Sequence, residues 1–461
     1  MTAAVPSRAW VAELAWSPSL GLRTDVLIEA SGDRLTAVTP DAGPPAGAVR
    51  LAGLTLPGFA NAHSHAFHRA LRGVTQASRG TFWTWRERMY QVAGRLDPDR
   101  YLALATAVYA EMALAGVSCV GEFHYLHHDH GGRQYADPNQ MGLALIEAAS
   151  RAGIRITLLD TCYLSGGLSA EGRPQPLEGP QLRFGDADAA CWAERVTALS
   201  PDEAGRLGAH ARAGAAIHSV RAVPRDQMPE VVSWSQHYGA PLHAHLSEQV
   251  AENRACLAAY RATPAEVLSA AGALGPRSTA VHATHLTASD VDLLGGSRVH
   301  ACLCPTTEAD LADGIGPARD LADAGSQLTI GSDSHAVIDL LEEARRVEMD
   351  QRLASQERGQ FTAAELAAAA TATGHASLGW PEAGELVAGG LADFCTVALD
   401  SPRTAGAARA TQALEAVIFG ATAADVRHLV VGGRDVVRDG QHRLIADVPA
   451  ALAGAITTVL A

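Results

Sequence analysis

Lysine is absent from this 461-residue chain, and all 36 basic side chains are arginine. A carbamylated lysine bridging two metal ions is therefore excluded. Positive charge is scarce overall: with 50 acidic residues the formal net charge is −14, which argues against a nucleic-acid partner, since such partners need a basic surface. No stretch approaches the ~20 uninterrupted apolar residues of a membrane span, so no membrane association is expected. The opening Met1–Arg8 lacks the basic region and long apolar stretch of an export signal. Cysteines number seven, an odd count, and most sit singly in apolar runs. They are expected to be reduced thiols in a cytoplasmic protein rather than a disulfide set. There is no internal repeat and no long low-complexity linker, only a Pro/Gly/Ala loop over Pro40–Ala48. Apolar residues make up 48% of the chain, ample for a core. The length exceeds the usual single domain, so one large domain with an appendage is expected.

What is present is a set of histidines at the ends of short apolar runs. Leu56–Phe59 leads into Ala60-Asn61-Ala62-His63-Ser64-His65. On a strand His63 and His65 share a face, because side chains alternate with period two. Two imidazoles side by side at a strand end make half of a zinc site. Three later runs end in candidates for the other half: His243, His245 and Glu248; His282 and His285; Asp333 and His335. The residues alone read as a metallohydrolase, with a single metal the simpler arrangement for a lysine-free chain. His243 is expected to serve packing or to support a ligand from behind, and His285 and His335 to orient neighbours. The cluster His127-His128-Asp129-His130 is read as a solvated loop or a lid.

Eight apolar segments alternate with helix-like stretches: Leu54–Phe59, Val117–Phe123, Ile154–Tyr163, Ala215–His218, Leu242–Leu246, Thr279–Ala283, Val299–Cys302 and Leu328–Ser332. Amphipathic runs such as Asp99–Ala115 and Pro264–Ala271 lie between them, the second opening with a cap threonine and a first-turn proline. Eight such units predict an α/β fold, a distorted (β/α)8 TIM-type barrel over 56–384 with its active site at the C-terminal ends of the strands. The candidate ligands fall on the first, fifth, sixth and eighth segments. Short β-like runs flank the barrel: Trp10–Trp16, Asp25–Ala30 and Arg34–Val38 before it, Asp393–Leu399, Ala416–Phe419, Val426–Val431 and Arg434–Val437 after it. They predict a small β-sandwich domain built from both termini (1–55 and 385–445), with Gly432-Gly433 as a hairpin turn and a closing helix over 446–461.

These residues resemble the amidohydrolase superfamily, specifically its deaminase-like branch. Within it, Phe82-Trp83-Thr84-Trp85-Arg86-Glu87, Glu122-Phe123-His124-Tyr125 and His218-Ser219-Val220-Arg221 are most similar to the formimidoylglutamate deiminase family of histidine breakdown. The match covers nearly the whole chain. The resemblance implies one Zn2+ per chain held by His63, His65, His245 and Asp333. It implies Glu248 as the proton-transfer residue, with His282 and Asp333 completing the catalytic set. Substrate contacts would be His68, where relatives commonly carry glutamine, and Arg86, Tyr125, His218 and Arg221. A homodimer is implied on the same ground.

On that reading, three neutral imidazoles and one carboxylate leave zinc an open position and enough charge to bring the pKa of bound water to about 7. The expected reaction is hydrolysis of N-formimidoyl-L-glutamate to N-formyl-L-glutamate and ammonia. Such a small dicarboxylate calls for two arginines able to grip carboxylates bidentately. A nucleobase or triazine-type deaminase shares every metal ligand but needs an apolar ring-stacking pocket instead. A catalytically idle metal-binding protein would need no Glu248, His282 and Asp333 together.

Overall fold

The computed structural model describes residues 7–43, 45–77, 79–199, 207–406 and 409–461; the opening Met1–Pro6, part of the segment read for an export signal, lies outside them. Eight parallel strands form the barrel: Phe59–Ser64, Val117–His124, Arg155–Cys162, Ala211–Ile217, Leu242–Leu246, Ser278–His282, His300–Leu303 and Gln327–Ile330. Each pairs with the next in chain order. Most of their residues are buried on both faces, as a parallel sheet wrapped by helices requires. The ring closes between first and eighth strands through a single bridge, Ser64 to Asp333. There Asp333 N donates to His63 O at 3.0 Å and His65 N to Asp333 O at 3.2 Å. The seam of the barrel is thus made by candidate ligands themselves.

The outer helices begin where local chemistry starts them. Helix Pro98–Leu114 has proline in its first turn and Asp97 capping Arg100 N at 2.8 Å. Helix Pro264–Ala270 carries a reciprocal Thr263/Glu266 cap.

Both termini build one further sheet of eight strands, in the order Gln441–His442, Arg434–Arg438, Val426–Val431, Phe394–Val397, Val49–Pro57, Ser7–Ala15, Arg23–Ser31, Arg34–Thr39. Its pairs are antiparallel except Ser7–Ala15 with Val49–Pro57. Trp10, Ile28, Leu51, Phe394 and Val430 form its core. At the predicted hairpin Gly432 and Gly433 have φ of 56° and 69°, the left-handed pair that a two-residue turn of this type demands.

Two expected strands differ. Leu54–Phe59 is split: its first part ends the strand Val49–Pro57 of the outer sheet, and the first barrel strand starts at Phe59, after Gly58. The apolar run is continuous because both pieces are buried. Ala416–Phe419 lies inside helix Arg409–Gly420, where Ala413, Leu414, Val417 and Ile418 are buried at helical spacing. A four-residue apolar run does not distinguish the two periods. The last helix, Val448–Leu460, packs against Pro98–Leu114 of the barrel. All seven cysteines are free, and no described helix is long and apolar enough to cross a membrane.

Barrel and outer sheet are joined by a buried ion pair. Arg155, opening the third barrel strand, reaches Asp393 through Nε at 2.6 Å and Nη2 at 3.1 Å, and Asp393 also accepts from Gly432 N at 2.7 Å. Asp393→Ala should lower the unfolding free energy by about 3–5 kcal/mol, the cost of leaving a buried guanidinium unpaired. Chemical denaturation checks this, and a loss below ~1 kcal/mol would mean that water replaces the carboxylate.

Candidate active site

Four donors converge at the C-terminal mouth of the barrel. Asp333 Oδ1 lies 3.2 Å from His63 Nε2 and 3.3 Å from His65 Nε2, and His245 Nε2 lies 3.1 Å from His63 Nε2. All four are buried, and their ligand atoms lie within 4.8 Å of one another. His65 Nδ1 donates to Phe123 O at 2.9 Å and His245 Nδ1 to His218 O at 2.9 Å. Those bonds leave each Nε2 with a lone pair facing inward. Three imidazole nitrogens and a carboxylate oxygen converging this closely in a buried place, with Nδ1 of His63 lacking a hydrogen-bond partner, form a donor set that fits a metal ion. Burial pushes the pKa of all three imidazoles below the ordinary value, towards the neutral form a metal binds. Burial alone would raise Asp333, but the hydrogen bond to His63 and the charges of His63, His282 and His65 hold it well below the usual carboxylate range.

Close approach of the first and eighth strands depends on Gly331, where a Cβ would meet the His63 backbone at 2.8 Å. Polar stitches fix the register: Asn61 Nδ2 to Ser332 Oγ at 2.7 Å, Ser332 N to Asn61 Oδ1 at 2.9 Å, and His335 against Ser64 Oγ at 3.1 Å. Glu122 accepts from Ser64 Oγ and Ala66 N, both at 2.6 Å, pinning the turn that carries His65; burial pushes its carboxyl up to about 7. His335 therefore orients neighbours as expected, and His243 donates to Ser377 O at 3.0 Å away from the centre. His285 is half-buried, and its backbone N donates to Ser247 O at 3.0 Å.

Backbone strain gathers here. Ser247, His282, Ala283, Asp333 and His335 all have φ between 39° and 69°, a region costly for residues with a Cβ and characteristic of functional turns. At Ser247 the turn swings Glu248 over the centre. Glu248 Oε1 lies 3.9 Å from His282 Nε2 and Oε2 4.0 Å from Arg221 Nη2; burial raises its pKa. His282 Nε2 is 3.9 Å from Asp333 Oδ2, while its Nδ1 is held by Glu308 Oε1 at 3.3 Å. Burial works against protonating His282, but Glu248, Glu308 and Asp333 outweigh it and raise its pKa.

One cavity lies over these groups. His68, Arg86, Tyr125, His218 and Arg221 line it together with His65, His245, Glu248, His282 and Asp333; His63 lies beneath. His68 Nε2 and Tyr125 OH are 2.9 Å apart. Arg221 Nε donates to Glu252 at 3.0 Å. The Arg86 guanidinium stacks 4.5 Å from the Trp83 ring and 5.6 Å from Tyr90, and among the described residues no carboxylate pairs with it. All the candidate substrate contacts thus share one chamber. Sequence reading missed Tyr163, Phe184, Met89 and Tyr90 in its wall. The last two had a signal: Phe82, Trp85, Arg86, Met89 and Tyr90 fall on one face of helix Phe82–Ala93 at helical spacing. Glu122, Glu252 and Glu308 were missed as supports.

The His127-His128 reading is corrected. Both side chains are buried rather than solvated: His127 Nε2 donates to Thr161 O at 2.9 Å, and His128 Nε2 lies 3.3 Å from Asp186. Both backbone N–H groups bond Arg183 O. His124, His127 and Asp160 also come together, but Arg195 holds both oxygens of Asp160 at 2.9 Å and occupies the place a cation would take.

The model of the amidohydrolase family matches residues 54–436. A formimidoylglutamate deiminase of Pseudomonas aeruginosa is 38% identical over 433 residues, covering 92% of this chain and 93% of that one. An 8-oxoguanine deaminase of the same organism is 29% identical over 392 residues, 84% of this chain and 83% of its own. Among solved structures, an amidohydrolase from Brucella melitensis superposes with a TM-score of 0.89 at 31% identity, over 98% of this chain and 100% of that one. A zinc-bound adenosine deaminase from Xanthomonas campestris gives 0.82 at 22% identity, covering 98% and 97%, a likeness of fold.

Proposed function

The chain belongs to the amidohydrolase family, whose members are metal-dependent hydrolases, and we propose that it hydrolyses N-formimidoyl-L-glutamate to N-formyl-L-glutamate and ammonia, in histidine degradation. The observation that carries this is the chamber itself: Arg86 and Arg221 stand in one cavity with Glu248, His282 and Asp333 over a three-histidine, one-aspartate cage. Two guanidinium groups beside a hydrolytic centre suit a substrate with two carboxylates. A nucleobase would leave Arg86 without a partner and Arg221 with Glu252 alone.

The ligand residues would be His63, His65, His245 and Asp333. A zinc ion held there supplies a Lewis acid that makes water nucleophilic near neutral pH. Asp333 takes the proton that water loses as its oxygen adds to the imine carbon. Glu248 delivers a proton to the imine nitrogen, and His282, held through Nδ1 by Glu308, faces the charge that develops. As the tetrahedral adduct collapses and its carbon–nitrogen bond breaks, Glu248 takes the adduct's hydroxyl proton and passes it to the departing ammonia, and the proton held by Asp333 then restores Glu248 to its protonated form. His68, Tyr125 and His218 complete the polar lining around the formimino group and its chain. The enzyme acts as a homodimer in the cytoplasm in this reading, which rests on resemblance and is checked by light scattering and cell fractionation.

The deciding experiment is ammonia release from formiminoglutamate beside guanine, adenosine and a triazine. Turnover of a ring substrate in preference to formiminoglutamate would reverse the assignment. Metal analysis of protein purified without added metal should find close to one zinc per chain, since no lysine exists to bridge a pair. Two tightly held ions, both needed for turnover, would overturn the mononuclear reading.

A further inference from the structure

Glu252 lies on helix Val250–Tyr260, fully buried, outside both the ligand cage and the cavity lining. Each of its oxygens has a separate duty. Oε2 accepts from Arg221 Nε at 3.0 Å, and Oε1 accepts from the backbone N of Ser247 at 3.2 Å. Ser247 is the left-handed residue, φ 51°, that immediately precedes Glu248.

We infer that Glu252 is a positioning residue that fixes Arg221 and Glu248 in one frame, so that a single carboxylate aligns substrate capture with proton transfer. The inference rests on reading Arg221 as a substrate contact. An arginine has five donors in a rigid fork. Committing Nε to Glu252 sets the plane of that fork and leaves the Nη groups for the chamber, where Nη2 already stands 4.0 Å from Glu248 Oε2. A buried Arg221 without Glu252 would be an unpaired charge, and Glu252 without Arg221 the same in reverse, so the two hold each other. The second bond ties this pair to the turn whose strain presents Glu248. A left-handed serine persists only where its surroundings enforce it, and Oε1 of Glu252 supplies part of that enforcement.

Two substitutions separate the duties. In Glu252→Gln the one amide oxygen can serve Ser247 N or Arg221 Nε but not both, and in either orientation Arg221 loses its compensating charge. KM for formiminoglutamate should rise roughly 10–100-fold, the scale of a lost hydrogen bond to a charged group, with kcat changed much less. Inhibition by N-formyl-L-glutamate, which needs no turnover, should weaken in parallel. Glu252→Ala removes both bonds, and kcat should fall as well because Glu248 loses its support. Combining Glu252→Gln with Arg221→Met should be little worse than Arg221→Met alone, because the carboxylate acts through the arginine. Zinc content and Tm are measured on every variant, and if Glu252→Ala does not fold the Gln variant and the double mutant carry the test. Parental KM in Glu252→Gln, or two effects that simply multiply, would overturn the inference while leaving the substrate reading intact. Parental KM in Arg221→Met would sink both.

Discussion

Glu248→Gln is expected to lower kcat by ~10²–10⁴-fold, the usual contribution of a general acid–base group, while zinc content and fold stay close to the parent. Glutamine matches glutamate in size, so the 3.9 Å approach to His282 and the 4.0 Å approach to Arg221 can be kept. What it cannot do is carry a proton from water to nitrogen twice in each turnover. The carboxyl is suited to that duty because burial raises its pKa, favouring the protonated form that a general acid needs. No ligand atom of the cage belongs to Glu248, which is why metal content is the internal control. Near-parental kcat would reassign Glu248 as a structural residue and move proton transfer to Asp333 and His282 alone. Loss of zinc together with activity would show that the variant had disturbed the cage and would remove the general-acid argument.

Much of this site is legible in sequence because its parts are local. His63 and His65 are two residues apart, His245 and Glu248 three, and each group ends an apolar strand. The outer sheet was legible for the same reason, in short alternating runs and a Gly-Gly turn. The supports are a different matter. Glu308 reaches His282 across 26 positions, Glu252 reaches Arg221 across 31, Glu122 reaches Ser64 across 58, and Asn61 meets Ser332 across 271. Among 50 acidic residues, a single carboxylate that meets its partner only after the barrel closes leaves no pattern to find. The buried His127 and His128 misled for the converse reason: a polar, glycine-containing stretch has the composition of a solvated loop. Its burial depends on the distant Arg183, Asp160 and Asp186. The apolar run Ala416–Phe419 was too short to show its period.

Arg86→Met and Arg221→Met are each expected to lower kcat/KM for formiminoglutamate by ~2–5 kcal/mol in transition-state free energy, the scale of leaving one member of a buried charge pair without its partner. Methionine keeps much of the bulk and removes the fork. The two positions are not equivalent, and the structure separates them. Arg86 is held by the faces of Trp83 and Tyr90 and pairs with no carboxylate of the described protein. Its charge is therefore free for a ligand, and its removal strands nothing. Arg86→Met should act mainly on KM, with Tm near the parent. Arg221 already shares a buried hydrogen bond with Glu252. Its removal leaves that carboxylate uncompensated, so Arg221→Met should cost stability as well as affinity, visible as a lowered Tm beside a raised KM. Neither residue belongs to the cage, and zinc content should hold in both. The discriminating measurement is the full kinetic profile on formiminoglutamate and on a neutral analogue lacking one carboxylate. If Arg86 grips a carboxylate, its variant should lose most of the preference between the two. A variant that processes formiminoglutamate as well as the parent would remove the main argument for a doubly acidic substrate and bring ring-type substrates forward.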